Sequence, residues 1–135
     1  MSAKTTLCTL IVSAGFFLVS GPLWAHHAMI ADYALNKPVT LKGTITKMEW
    51  KNPHGWIYVD VKRDDGKVES WAVETGNPFR MEKGGLKKTD FQTGTNVIIG
   101  AFAAKDGKPN AAGWIVAFPD REKNPDLQVS FTLGR

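Results

Sequence analysis

Cysteine is almost missing from this chain: one in 135 residues, Cys8, lying in the N-terminal segment. Beyond that segment a disulfide or thiolate metal site is excluded. Histidine is nearly as scarce, with three residues at two places, His26-His27 and His54. Only one long apolar run occurs, near the start, and helical periodicity is rare elsewhere. No nucleophile elbow, phosphate-binding loop or Ser-His-Asp order is present, which removes the commonest hydrolase and nucleotide-binding signatures. There is no internal repeat, low-complexity tract or dividing linker. Seventeen Lys and Arg against thirteen Asp and Glu leave a net charge of +4. That excess is too mild for a dedicated nucleic-acid groove, and no nucleic-acid partner is expected.

What is present begins with a leader. Lys4 supplies the positive end, Leu7 to Ser20 an apolar core, and Gly21-Pro22 a helix break before Leu23-Trp24-Ala25. This layout predicts a signal peptide over residues 1–25, cleaved before His26, and a periplasmic or secreted product. Leu7 to Val19 falls short of the ~20 apolar residues that a membrane span needs, so no span is expected after cleavage. Cys8 lacks the small residues that precede a lipid-anchored cysteine. Residues 26–135 then make one domain with a modest core.

Alternation of apolar and polar residues dominates that domain. Val39 to Trp50 predicts a first strand, with Val39, Leu41 and Ile45 on one face. The parity switches by Met48 and Trp50, which predicts a bulge or bend. Asn52-Pro53-His54-Gly55 is a turn. Trp56 to Lys62 and Val68 to Thr75 form a hairpin about Asp64-Asp65-Gly66. Asn77 is a helix N-cap with Pro78 at the first helical position, and the short helix ends near Gly84-Gly85. Thr95 to Ala104 and Ala111 to Phe118 are the fourth and fifth strands. Leu127, Val129, Phe131 and Leu133 alternate as a sixth strand or ordered tail. Three strands, a helix and two more strands predict an all-β, OB-like barrel of five to six strands, with an open meander as the alternative. In such a barrel a bent first strand serves both halves.

His26-His27-Ala28, the run Lys37 to Ile45, and Asn52-Pro53-His54-Gly55-Trp56-Ile57-Tyr58 resemble a family of small exported bacterial proteins catalogued as a domain of unknown function. Trp71-Ala72-Val73-Glu74 with Gly76-Asn77-Pro78, and Lys105-Asp106-Gly107, share the resemblance. It covers nearly all of the chain after the leader, with the Asn-Pro-His-x-Trp segment as its most specific part. The resemblance implies export and one compact domain, and carries no activity. Where the family often has Arg-Gly-Trp after the helix, this chain has Gly84-Gly85-Leu86.

A histidine at a free N-terminus is chemically special, because its α-amine and ring Nδ1 chelate one metal together. A remote histidine completes a three-nitrogen site suited to Cu(II), and His54 is the candidate. His27 offers a second mode through the amine, the intervening amide and its own ring. Asp32 or Glu74 is a possible axial oxygen donor. Against this stand a solvated chain end and a turn histidine that packs on Trp56. Zinc is less suited, since structural zinc takes four ligands, usually including cysteine.

Trp50, Trp56, Trp71 and Trp114 fall on or beside strands and are expected mainly to fill or cover the barrel. Trp56 and Tyr58 share a strand face and make an alternative platform for a glycan or peptide. Asp60 and Glu74 on neighbouring strands are the one candidate carboxylate pair. The expectation is a non-catalytic binding module for copper. A glycan or peptide module, or an interaction protein for a periplasmic partner, remains the alternative.

Overall fold

The structure is a computed structural model that describes residues 31–121 and 128–130. The expected leader, residues 1–25, and His26 and His27 lie outside the described residues, as do the side chains of 128–130. Among the described residues, no helix is long and apolar enough to cross a membrane. The elements run β1 (Tyr33–Glu49), β2 (Trp56–Lys62), β3 (Val68–Glu74), α1 (Pro78–Lys83), a 3-10 turn (Lys88–Asp90), β4 (Asn96–Ala104), β5 (Asn110–Ala117) and β6 (Gln128–Ser130). The order is the expected one, with the helix between the third and fourth strands.

The strands lie in the order β3-β2-β1-β4-β5-β6, and a parallel pairing of β3 with β5 closes the first five into a ring. β1 makes that closure possible by serving two neighbours. Tyr33 to Thr44 pairs with β4, and Gly43 to Glu49 pairs with β2. The handover occurs at Gly43, which faces Val61 and Val97 together. A Cβ there would lie 2.5 Å from the Asp60 carbonyl oxygen, so only glycine lets the strands approach this closely. β5 shares one edge between two partners: Asn110 to Ala112 pairs with β3, and Ile115 to Ala117 with β6. The tail therefore contributes a sixth strand.

The expected parity switch in β1 is a bulge at Thr46. Ile45 faces Val59 and Lys47 faces Tyr58, so Thr46 is the extra residue. Before it, Leu41 and Ile45 point inward; after it, Met48 and then Trp50 pack against the core. The Thr46 hydroxyl bonds the Tyr58 carbonyl at 3.2 Å, and the Thr93 hydroxyl bonds the Thr46 carbonyl at 3.1 Å. β1 also starts earlier than Val39, at Tyr33, with a second register shift between Tyr33 and Pro38.

The core gathers the inward positions of every strand in the ring, including Ile57 and Val59 from β2, Val73 from β3, Val97 and Ile99 from β4, and Val116 from β5. Alternation with period two delivers them to one face. Met81 from α1 and Leu86 after it are both fully buried in the same cluster. Leu86, standing where the resembling family often has tryptophan, is thus a core residue. Asn77 caps α1 as expected: its Oδ1 accepts the Arg80 amide at 2.9 Å, and Pro78 opens the helix. Trp50 tilts against Phe91 with ring centroids 5.9 Å apart, which covers part of the core.

Candidate functional site

The turn after β1 places His54, and the fold places it against Glu74. The turn includes a cis Asn52–Pro53 peptide bond. Trp56 faces Glu74 in the β2–β3 ladder. The pairing continues past the strand ends, because Thr75 donates its amide to the Gly55 carbonyl at 2.9 Å and Gly55 donates to the Gly76 carbonyl at 3.2 Å. His54 and Trp56 alternate with Gly55 and Ile57, so the histidine leaves the sheet on the outer side, diagonal to Glu74. Side chains at that diagonal lie within reach of one another.

Glu74 binds two partners. Its Oε2 accepts the Tyr33 hydroxyl at 2.9 Å, and its Oε1 is hydrogen bonded to His54 Nδ1. A carboxylate only accepts, so the proton of this contact sits on Nδ1 of the imidazole. The Glu74 side chain is 15% exposed and that of His54 35%. Tyr33 is buried, and that burial, followed by the neighbouring Glu74 charge, pushes its phenol well above the usual tyrosine value. Tyr33 comes from the start of β1, His54 from the turn before β2, and Glu74 from the end of β3. Three elements distant in sequence meet at one end of the ring.

A cleft of about 360 Å³ opens beside this trio, lined by Tyr33, Trp56, Ala31, Asp32, Ala104, Lys105, Asp106 and Asn110. Asp32 is tied to the end of β4 through its carbonyl, which accepts the Lys105 amide at 2.9 Å. The chain therefore enters the described structure at the cleft itself.

The other expected site residues have definite places. Trp56 and Tyr58 share the outer face of β2, since Ile57 and Val59 between and beyond them are fully buried. They do not form a bare pair of rings. The Lys47 ammonium sits 5.0 Å from the Tyr58 ring centroid, and the Tyr58 hydroxyl makes a long 3.4 Å bond to Glu49. Hydrogen bonds from Lys47 and Lys51 hold the Glu49 carboxyl down to about 2. Asp60 and Glu74 are not a pair. Asp60 faces Ser70 and binds its hydroxyl at 2.6 Å, while Glu74 faces Trp56. Four ladder positions at ~3.3 Å each put the two carboxylates roughly 13 Å apart. Glu74, a candidate axial oxygen donor from sequence, has both oxygens hydrogen bonded, one to Tyr33 and one to His54. Tyr33 is the residue that sequence reasoning missed. It stands outside the alternating stretch that marked the first strand.

Among the described residues, no group of three or more His, Cys, Asp or Glu side chains converges as a metal cage. His54 is the one described histidine, and His26 and His27 lie outside the described residues.

Fold and site together define a small closed β-domain that carries a carboxylate-held histidine at one end of its ring. The chain belongs to the family of unknown function DUF6152, whose model matches residues 15–113. That span includes His26, His27, Tyr33, His54 and Glu74. Neither a curated protein nor a solved structure matches the chain.

Proposed function

We propose that this protein is an exported, non-catalytic binding module for Cu(II), held by the amine and ring of His26 with His54 as the remote ligand. His27 is the alternative chelating residue. The observation that supports this reading is the state of His54. Its Nδ1 is engaged by Glu74, which leaves Nε2 as the coordinating atom, the arrangement common among metal-binding histidines. Its position suits the role as well. Five residues separate His26 from Ala31, and at ~3.3–3.6 Å each they reach roughly 17 Å. The trio starts two residues beyond Ala31, at Tyr33. Nitrogen donors in a planar array favour Cu(II) over the other divalent ions. Cleavage before His26 creates the amine, so export and metal binding are linked in this reading.

The test is Cu(II) titration of protein purified from the periplasm, with its N-terminus confirmed by mass as His26. One equivalent should bind with a nitrogen-rich EPR spectrum. Binding should be lost when one residue is added before His26 and weakened in His54→Ala. Binding that ignores the extension removes the copper reading.

One observation favours a second reading, a glycan or peptide module: Trp56 forms part of the cleft wall. In that case Trp56→Ala abolishes retention on the polymer, and an added N-terminal residue changes nothing.

A further inference from the structure

We propose that Glu74, braced by Tyr33, is the positioning residue of the metal site: it fixes the tautomer and orientation of the His54 ring so that Nε2 faces the ion. The inference rests on the copper reading above and adds to it the group that makes His54 a competent ligand. Three observations carry it. The carboxylate can only accept, so its bond to Nδ1 selects the tautomer with a free Nε2 lone pair. The Tyr33 hydroxyl donates to the second oxygen at 2.9 Å, which restrains the carboxylate from rotating away. Tyr33 is buried and Glu74 mostly so, whereas His54 is the most exposed member, so the trio runs from the ring outward to the ion-facing atom. The backbone bonds between Gly55 and Thr75-Gly76 set the spacing from below. Glu74 does not coordinate the ion; it acts through His54.

Outer partners of this kind typically contribute 10–100-fold to metal affinity. The experiment compares wild type, Glu74→Ala, Glu74→Gln, His54→Ala and the Glu74→Ala/His54→Ala double variant, all starting at His26. Cu(II) affinity is measured by competition with a chromophoric chelator, and the His54 ring nitrogens are followed by ¹⁵N NMR without metal. In wild type the NMR should show the proton on Nδ1. Glu74→Ala should lose that preference and bind Cu(II) roughly 10–100-fold more weakly. Glu74→Gln keeps an acceptor for Nδ1 and should fall less, which separates positioning from loss of fold. In the His54→Ala background, removing Glu74 should have no further effect. If affinity falls in His54→Ala while Glu74→Ala binds like wild type, this inference fails and the copper reading stands. An equal Glu74 effect with and without His54 also overturns it. Wild type that binds no Cu(II) overturns both.

Discussion

At Gly55 the fold leaves room for a hydrogen atom and nothing larger. A Cβ would lie 2.8 Å from the Thr75 hydroxyl and 3.0 Å from the Glu49 carbonyl oxygen. Thr75 is fully buried, so the obstruction does not move aside easily. Gly55→Ala should cost about 1–3 kcal/mol, the usual range for overpacking, measurable as a lower urea midpoint at unchanged slope. It should also disturb His54, which the same backbone bonds position. Tyr33 yields a prediction in pH. Its phenol is raised in the folded state by burial and by Glu74, whereas in the unfolded chain it titrates near ~10. The folded protein therefore keeps a proton that the unfolded chain releases. The stability linked to that proton is fully present below pH ~10 and is lost as the pH climbs from there toward the folded value. Tyr33→Phe should lack this extra alkaline loss. Urea midpoints at about pH 9 and 11 should converge for the variant more than for wild type; equal losses in both proteins count against the coupling.

Among the elements, β1 shows how much of the fold lies in local pattern. The sequence of apolar parities, Leu41 and Ile45 and then Met48 and Trp50, is enough to locate a bulge, because a residue inserted in a strand turns every later side chain over. Inserting one residue between Lys47 and Met48 should turn Met48 and Trp50 out of the core and cost on the order of 3 kcal/mol or more. The check is loss of cooperative unfolding by circular dichroism. The cap on α1 was equally legible, since Asn-Pro is a local signal. Asn77→Ala should cost about 1 kcal/mol, read from the same urea curves. The start of β1 was not legible. Tyr33 to Pro38 lacks alternation and contains a proline, and its strand state comes from pairing with β4, some seventy residues away. The brief turn at Lys88–Asp90 is likewise set by its neighbours: Asp90 accepts the Lys87 amide at 2.7 Å and pairs with Arg121 at 2.6 Å. The candidate site follows the same division. His54, Trp56 and Tyr58 stand in one short motif and declare themselves, and the shared outer face of Trp56 and Tyr58 follows from period two. The meeting of Tyr33, Glu74 and His54 depends on ring closure, which no local pattern carries.

At the scale of the whole molecule, the proposed ion would add a tie where the described chain enters the ring. The chain enters at the cleft by Asp32, and the start of β1 is held by the Asp32–Lys105 backbone bond, the pairing of Tyr33 with Ala104 and the Tyr33–Glu74 bond. A metal held by His26 and His54 ties this entry to the turn before β2, thereby closing a loop that includes all of β1. Any ligand that binds the folded state alone stabilises it by mass action, about 2.7 kcal/mol when free ligand is a hundred times its dissociation constant. Cu(II) at that excess should therefore raise the thermal midpoint of wild type by roughly 10–20 °C; the entropy of unfolding for a domain of this size converts each kcal/mol into roughly 4–8 °C. The rise should grow with the logarithm of free Cu(II). It should be abolished by an added residue before His26, reduced in His54→Ala, and unaffected by Trp56→Ala. Hydrogen exchange gives the spatial control. Protection gained on adding Cu(II) should include the first residues of β1 and the turn at His54, while the β4–β5 core gains only as far as global stability rises. No gain at the first residues of β1 and at the His54 turn would mean that the ion binds elsewhere, and the N-terminal histidine would then have no part in its capture.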